Sequence, residues 1–478
     1  MPQRFRGTPI DEAMQPSECL TKPRPGKSGG HPSAAAGSAT RRAFLARAGL
    51  SAASLAGLAG CRLEGPDSRR EIVYWTGWSG HEYDILQELI GQFNREHPGI
   101  RARMLTQFST TGSYQKVRIA FAGGATPDLM STVWAHELAG YALRGVLEPL
   151  DDWLRAAGRD AAREFSPGIA QTVTVGGRVF GLAMTTNARF IAYNKRLFRE
   201  GGLDPERPPR TIAELDEAAA RCTLHGPRGE LIRCGFRPQE LEAWAYSFGG
   251  QWFDGSANHP TADHPGNVAA LEWMASYGRR YDLRKIQALQ STYGANDTPN
   301  GPFYIGKMAM WTTGEWAGEF VRRFAPGMEW GWFALPSPPG GRSGVTAAGG
   351  SIFVIPAASR RKAQAWALLD WLTRAPAVKA FCSRIGNVPP LKEAARDAVF
   401  QKDPLFRFAS ALVQGAHSFG SPPNPIWPAY RREITRVEEA AMLGGQDPRR
   451  LLGDLQHRME RERSRTCLEL GIPDSGAV

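Results

Sequence analysis

Cys61 is the residue of this chain best set up for covalent chemistry. It closes the stretch T-R-R-A-F-L-A-R-A-G-L-S-A-A-S-L-A-G-L-A-G-C over residues 40–61. Arg41 and Arg42 stand side by side ahead of Phe44 and Leu45. An apolar run of small residues follows from Ala48 to Ala59, and it ends on Leu58-Ala59-Gly60-Cys61. The run is shorter than the ~20 apolar residues that span a bilayer, and it has the length of the apolar region of an export signal. A thiol placed just after a small-residue cleavage site is the atom that takes a diacylglycerol. The order of parts therefore predicts twin-arginine export of a folded protein, cleavage before Cys61 and lipidation of its sulfur.

A second chemistry is non-covalent. The chain has 14 Trp, many of them in loops rather than on helix faces. Sugars present flat C–H patches that stack on aromatic rings, and their hydroxyls need donors and acceptors at fixed positions. Trp78 lies in the Gly/Ser loop T-G-W-S-G, close to Ser79, His81 and Glu82. Glu82, Glu137 and Glu315 are carboxylates from which a glycosidase pair could be drawn, but no neighbouring motif marks a nucleophile.

Other chemistries find little support. The sequence has no C-x-x-C or H-E-x-x-H spacing, so neither a metal nor a cofactor is expected. Gly123 to Asp128 (G-G-A-T-P-D) lacks the G-K-[ST] of a phosphate loop. Of six cysteines, Cys222 and Cys234 flank a Gly/Pro loop and form a candidate disulfide in an oxidising compartment. The net charge is +11, and the first 60 residues hold eight basic and three acidic residues, which leaves the rest near +6. That excess is spread along the chain without basic–aromatic runs, so no nucleic-acid partner is expected.

The elements that must position these residues are those of an α/β protein. Residues 1–39, rich in Pro, Gly and Ser, read as a disordered extension or as lying upstream of the true start; residues 61–70 read as a polar tether. Beyond them, 71–75 reads as a strand and 81–97 as an amphipathic helix on Ile85, Leu86, Leu89, Ile90 and Phe93. Pro98-Gly99 stops it, and a second strand starts at Ile100. Strand, helix, strand opens a doubly wound α/β lobe. Farther on, Thr211 and Glu214 form a capping box, and Gly349 to Pro356 reads as a buried strand. A mature chain of 418 residues exceeds what one core usually supports, so two lobes are expected.

Several tracts, in order, resemble the family 1 extracellular solute-binding proteins, the sugar receptors of bacterial ABC importers. These are G-G-A-T-P-D-L; W-A-H-E-L-A-G-Y-A-L-R-G-V-L-E-P-L; A-Y-N-K-R-L-F-R-E-G-G-L-D-P-E-R-P-P-R-T; F-Y-I-G-K-M-A-M-W-T-T-G-E-W; G-G-S-I-F-V-I-P; and G-N-V-P-P. The third is the most specific, and together they cover nearly the whole mature chain. The resemblance implies a two-lobe periplasmic-binding-protein fold (type II) with a ligand cleft between lobes joined by three chain crossings, near Asn187, Leu335 and Thr373. The lobes would be residues 71–187 with 335–373, and 188–334 with 374–478, and ligand would close them.

The same resemblance implies the site. Trp134 and Glu137 stand in W-A-H-E where maltose-binding proteins have W-A-H-D, Trp316 follows Gly314 in T-G-E-W, and Trp427 lies in a late loop where the family places an aromatic residue. Trp244, Trp252, Asn187, Gly350 and Ser351 join them near the cleft, with Trp78 from the first loop. Trp75, Trp273, Trp366 and Trp371 read as core. The implied function is a non-catalytic, monomeric receptor, anchored to the membrane by lipid, that passes an oligosaccharide to permease subunits. The alternative is glycerol 3-phosphate or a glycerophosphodiester, because L-D-P-E-R-P-P-R-T is similar to receptors for that ligand; Arg189 and Arg431 would then meet the anion.

Overall fold

The computed structural model describes residues 71–106, 117, 119–121, 123–255, 258–294 and 298–472. The export stretch, Cys61 and the tether lie outside the described residues.

Strand β1 (Glu71–Thr76) leads through helix α1 (Gly80–Glu96) to β2 (Arg101–Thr106), and β3 (Leu129–Trp134) follows. Helix α1 forms because Ile85, Leu86, Leu89, Ile90 and Phe93 fall on one face, and all five are buried. Each buried side chain of this size contributes about 1.5–3 kcal/mol. β1 pairs in parallel with β2 and with β3. Asp128, just ahead of β3, explains the P-D motif: its carboxylate accepts from Val73 N at 3.0 Å and from the Ser359 hydroxyl at 2.9 Å. It thereby ties two strands to a segment more than 200 residues away.

After helix α2 (Leu138–Leu143), helix α3 (Pro167–Val173) and the short β4 (Leu182–Ala183), the chain enters a second lobe. There β5 (Phe190–Asn194) is the centre of a three-stranded antiparallel sheet, flanked by β6 (Met310–Thr313) and β7 (Trp330–Phe333). The Y-N-K tract is a turn device. Asn194 caps helix α4 (Lys195–Glu200) by accepting from Leu197 N, the Tyr193 hydroxyl donates to Pro205 O at 2.6 Å, and Lys195 pairs with Glu206 at 2.8 Å. Helix α5 (Ile212–Cys222) starts with the Thr211–Glu214 capping box. Helices α6 (Leu241–Ser247) and α7 (Pro265–Tyr281) pack beside it in the second core.

The chain then returns. The two-residue strand β8 (Thr346–Ala347) precedes β9 (Ser351–Val354), which inserts antiparallel between β3 and β4 and completes the five-stranded order β2-β1-β3-β9-β4. Helices α8 (Lys362–Leu372) and α9 (Ala375–Ile385) cover that sheet. Helix α10 (Pro404–Gln414) and strand β10 (Ser418–Phe419) lead back to α11 (Trp427–Gly444) and α12 (Pro448–Leu470) of the second lobe.

Two cores result. One runs from Ile72 to Met184 and from Ile352 to Phe400; the other joins Ile191 to Leu335, Val345, and Ile426 to Met459. The chain passes between them over residues 185–190, over 346–350, and between Phe400 and Ile426. Two of the expected crossings are corrected. Leu335 is buried in the second core and bridges to Val345, so the chain doubles back before it crosses. Thr373 is a bend within the first lobe: it follows α8, and its hydroxyl and carbonyl accept from the buried Arg159 guanidinium at 2.9 and 3.2 Å. Helix α9 then packs on α1, with Arg384 on Glu88 at 2.6 Å. The proline after Thr373 breaks a helix, not a lobe.

The expected disulfide is corrected as well. Cys222 and Cys234 are separate buried thiols. Cys222 Sγ points to Leu197 O at 3.6 Å and Cys234 Sγ to Phe236 O at 3.4 Å. The hairpin between them holds both in the core but aims them at different carbonyls.

Candidate functional site

The crossings are bonded to one another and to the first lobe. Thr186 N donates to Val388 O at 3.0 Å, Asn187 N to Gly349 O at 3.2 Å, and Arg189 N to the Thr346 hydroxyl at 2.6 Å. The Asn187 side chain returns the favour by accepting from Gly349 N at 3.1 Å. A Cβ at Gly350 would run into the Thr185 carbonyl, so only glycine lets these strands approach.

Above this floor lies a cleft of about 540 Å³ between the lobes, within the range of small-molecule sites. Ala135 and His136 reach it from the first lobe, in the turn that follows the carboxyl end of β3. That is where open α/β sheets place ligands. The opposite wall is Arg237 to Ala243 with the Arg431, Ile434 and Glu438 face of α11. Phe419, stacked on Tyr246 at 4.0 Å, supplies an aromatic ring.

The polar groups of the cleft are mostly paired. Arg189 meets Glu240 at 3.0 Å, and Arg431 meets Glu242 at 2.8 Å. Glu438 accepts from Leu241 N at 2.9 Å and so caps α6 from a distant helix; burial pushes its carboxyl up to about 7. Burial, then the charges of Arg431 and Arg432, hold His136 down at about 3, so it presents a neutral imidazole. Glu240 has φ 68° and ψ 63°, the left-handed region, at a cost of about 1–3 kcal/mol. Strain of this kind gathers at binding sites.

Of the residues singled out from sequence, Asn187 and Gly350 line the cleft. Ser351 is buried at the start of β9, where its N–H donates to the Thr185 hydroxyl at 3.1 Å. Trp316 is half-buried at the N-terminus of the helix Ala317–Phe324, and the Arg189 guanidinium lies over its ring at 4.8 Å. It thus supports a cleft residue from behind. Glu137 lines a neighbouring cavity rather than the cleft. The side chain of Trp134 lies outside the described residues; its backbone pairs with Ser351 at the end of β3.

Three tryptophans are corrected. Trp244, Trp252 and Trp427 each have 0% exposure in the second core. Trp244 packs on Trp273 at 4.6 Å, and Trp252 and Trp427 meet Tyr430, both at 5.7 Å. None has a ring face left for a ligand. Trp78 packs its edge on Phe381 at 5.9 Å in the first lobe and lines neither cavity.

Sequence reasoning passed over Arg237, Glu240, Glu242, Glu438 and Phe419. The run R-P-Q-E-L-E, three charged groups within six residues at the start of an apolar helix, is a signal that could have found most of them. The carboxylates Glu82, Glu137 and Glu315 do not face one another: Glu315 is buried beneath the crossings, Glu137 lines the second cavity, and Glu82 lies in the first turn of α1. No glycosidase pair is assembled from them.

The sequence profile of the bacterial extracellular solute-binding proteins matches residues 77–379. A Brucella abortus (strain 2308) chain described only as a binding protein is 26% identical over 412 residues, 85% of this chain and 95% of its own. The structure of CpMnBP1 with mannotriose bound is 27% identical, with a TM-score of 0.72, and covers 81% of this chain and 99% of that one. The sugar-binding protein MalE of Xanthomonas citri shares the fold at 22% identity, with a TM-score of 0.69 over 84% of this chain and 99% of its own.

Proposed function

The chain belongs to the family of bacterial extracellular solute-binding proteins, and from that premise we propose that it captures a neutral oligosaccharide by closing its lobes and delivers it to an ABC transporter permease. The observation that carries this reading is the charge balance of the cleft. Arg189 and Arg431 each already face a carboxylate, at 3.0 and 2.8 Å. A phosphate would have to displace Glu240 or Glu242 and would meet Glu439 beyond them. Hydroxyls, by contrast, can donate to the carboxylates and accept from the guanidiniums together, while Phe419 takes a C–H face. The likeness to a mannotriose-bound protein makes mannooligosaccharides the first ligands to try. The receptor is non-catalytic and works as a monomer.

The test is a thermal-shift and calorimetry panel of mannobiose, mannotriose, maltose and glycerol 3-phosphate. A ligand at a hundred times its Kd adds about 2.7 kcal/mol to stability, so binding will be plain. Small-angle scattering of the same samples should show compaction. Stabilisation by glycerol 3-phosphate alone would overturn the neutral-sugar reading.

Trp316→Ala is expected to weaken sugar binding about tenfold, roughly 1.4 kcal/mol. Without the ring, Arg189 loses its cation–π partner and its fixed position beside Glu240. Calorimetry checks this; unchanged affinity would remove Arg189 from the site.

Anchoring belongs to the same proposal. Among the described residues no helix is long and apolar enough to cross a membrane, and the L-A-G-C box supplies one thiol for lipid. The protein leaves the cytoplasm folded, by the twin-arginine route, and stays on the outer face of the cytoplasmic membrane by Cys61. Cys61→Ser should move it from the membrane to the soluble fraction. If the variant sediments with membranes unchanged, another element holds it there.

A further inference from the structure

Beside the cleft, the lobes enclose a second cavity of about 490 Å³. Phe121, Glu137 and Tyr141 line it from the first lobe, and Ile426, Arg432 and Arg465 from the second. The two cavities share a wall. His136 faces the cleft and the next residue, Glu137, faces the outer cavity; Arg431 and Arg432 repeat the arrangement from α11. Across the wall, Arg431 Nη1 and His136 Nδ1 stand 3.5 Å apart. This is the outer limit of a hydrogen bond, made between side chains of opposite lobes. Because burial holds the imidazole neutral, the Arg431–His136 contact is not an ion pair; the ion pair of Arg431 is with Glu242, at 2.8 Å on the same side of the cleft.

The outer cavity repeats the chemistry of the cleft. Phe121 and Tyr141 lie with ring centroids 5.1 Å apart and form an aromatic surface for sugar C–H faces. Arg465 is paired with Glu462 at 2.7 Å, again a balanced donor and acceptor set for hydroxyls rather than for an anion. Each cavity is by itself the size of a small-molecule site.

We infer that the outer cavity is a second saccharide subsite, so that a bound oligosaccharide runs from the crossings, past His136 and Arg431, to Phe121 and Tyr141. This rests on the neutral-oligosaccharide reading and adds the length of the ligand to it. A disaccharide fills only the cleft; a longer chain gains contacts with Arg432 and the aromatic pair.

The experiment is calorimetry of the full chain with mannobiose and with mannohexaose. The wild type should bind the hexaose at least tenfold more tightly. Arg432→Ala and Phe121→Ala should each erase most of that advantage while mannobiose affinity stays within twofold, which also shows that the variants are folded. Equal wild-type affinity for the two sugars would overturn the subsite and leave the receptor reading intact. So would variants that weaken both sugars alike. Failure of the wild type to bind either sugar would overturn the receptor reading, and this subsite with it.

Discussion

Glu315→Ala is expected to destabilise the protein by about 3–5 kcal/mol, the largest effect of any single change near the cleft. Glu315 extends from the second lobe, between β6 and the helix Ala317–Phe324, and is buried beneath the crossings. One carboxylate oxygen accepts from Ala188 N at 3.0 Å; the other accepts from Val388 N and from the Asn387 side chain, each at 3.2 Å. Ala188 is in the first crossing and Val388 follows the last large helix of the first lobe. One side chain therefore fastens two segments that must move together when the lobes close. Alanine leaves buried N–H groups without acceptors, each costing about 1–3 kcal/mol. Denaturant unfolding at pH 6 checks it; a loss below 1 kcal/mol would mean that water replaces the carboxylate.

The same group carries a pH signature. Burial pushes its carboxyl up to about 7, against the N–H donors and Arg189, which favour the ionised form. A raised folded-state pKa means that the folded protein holds the proton between the ordinary carboxyl value and 7. The stabilising contribution is complete below that window and is lost as pH rises through it. The loss is on the order of 3 kcal/mol by pH 8. Glu315→Gln cannot titrate, so the stability difference between wild type and variant should change across pH 4.5–7 and flatten above it. A constant difference over the whole range would place the ionisation elsewhere.

Trp427→Ala is expected to cost about 3–5 kcal/mol of stability through the cavity it leaves. The ring is fully buried at the start of α11, between Phe253 at 5.9 Å and Tyr430 at 5.7 Å. Those neighbours are held by Trp252 and the second core and cannot collapse into the space. Melting should reveal the loss, whereas binding measured well below the midpoint should change little. A variant that melts normally but loses sugar binding would return Trp427 to the cleft.

The sequence by itself determined what is local or repeated in order. Helix α1 was legible because five apolar residues recur at helical spacing and a Pro-Gly pair stops them. The start of α5 was legible because a capping box is a contact between residues three apart. The family tracts were legible because turn and cap residues such as Asn194 and Asp128 must be those types for the chain to bend or pair there. Only the tertiary structure decided which way a side chain faces. A loop tryptophan is core or platform according to partners remote in sequence, as Trp427 with Phe253 demonstrates. Two cysteines flanking one hairpin bond or stay apart according to carbonyls such as Leu197 O, contributed by another helix. The crossings likewise depend on which core a helix joins: α9 follows the bend at Thr373, with Pro376 in its own first turn, yet packs on α1, nearly 300 residues earlier. Its apolar face is buried there at Val378, Phe381 and Cys382, and burial is non-directional. Sequence spacing records that a face is apolar; the fold alone assigns the surface that covers it.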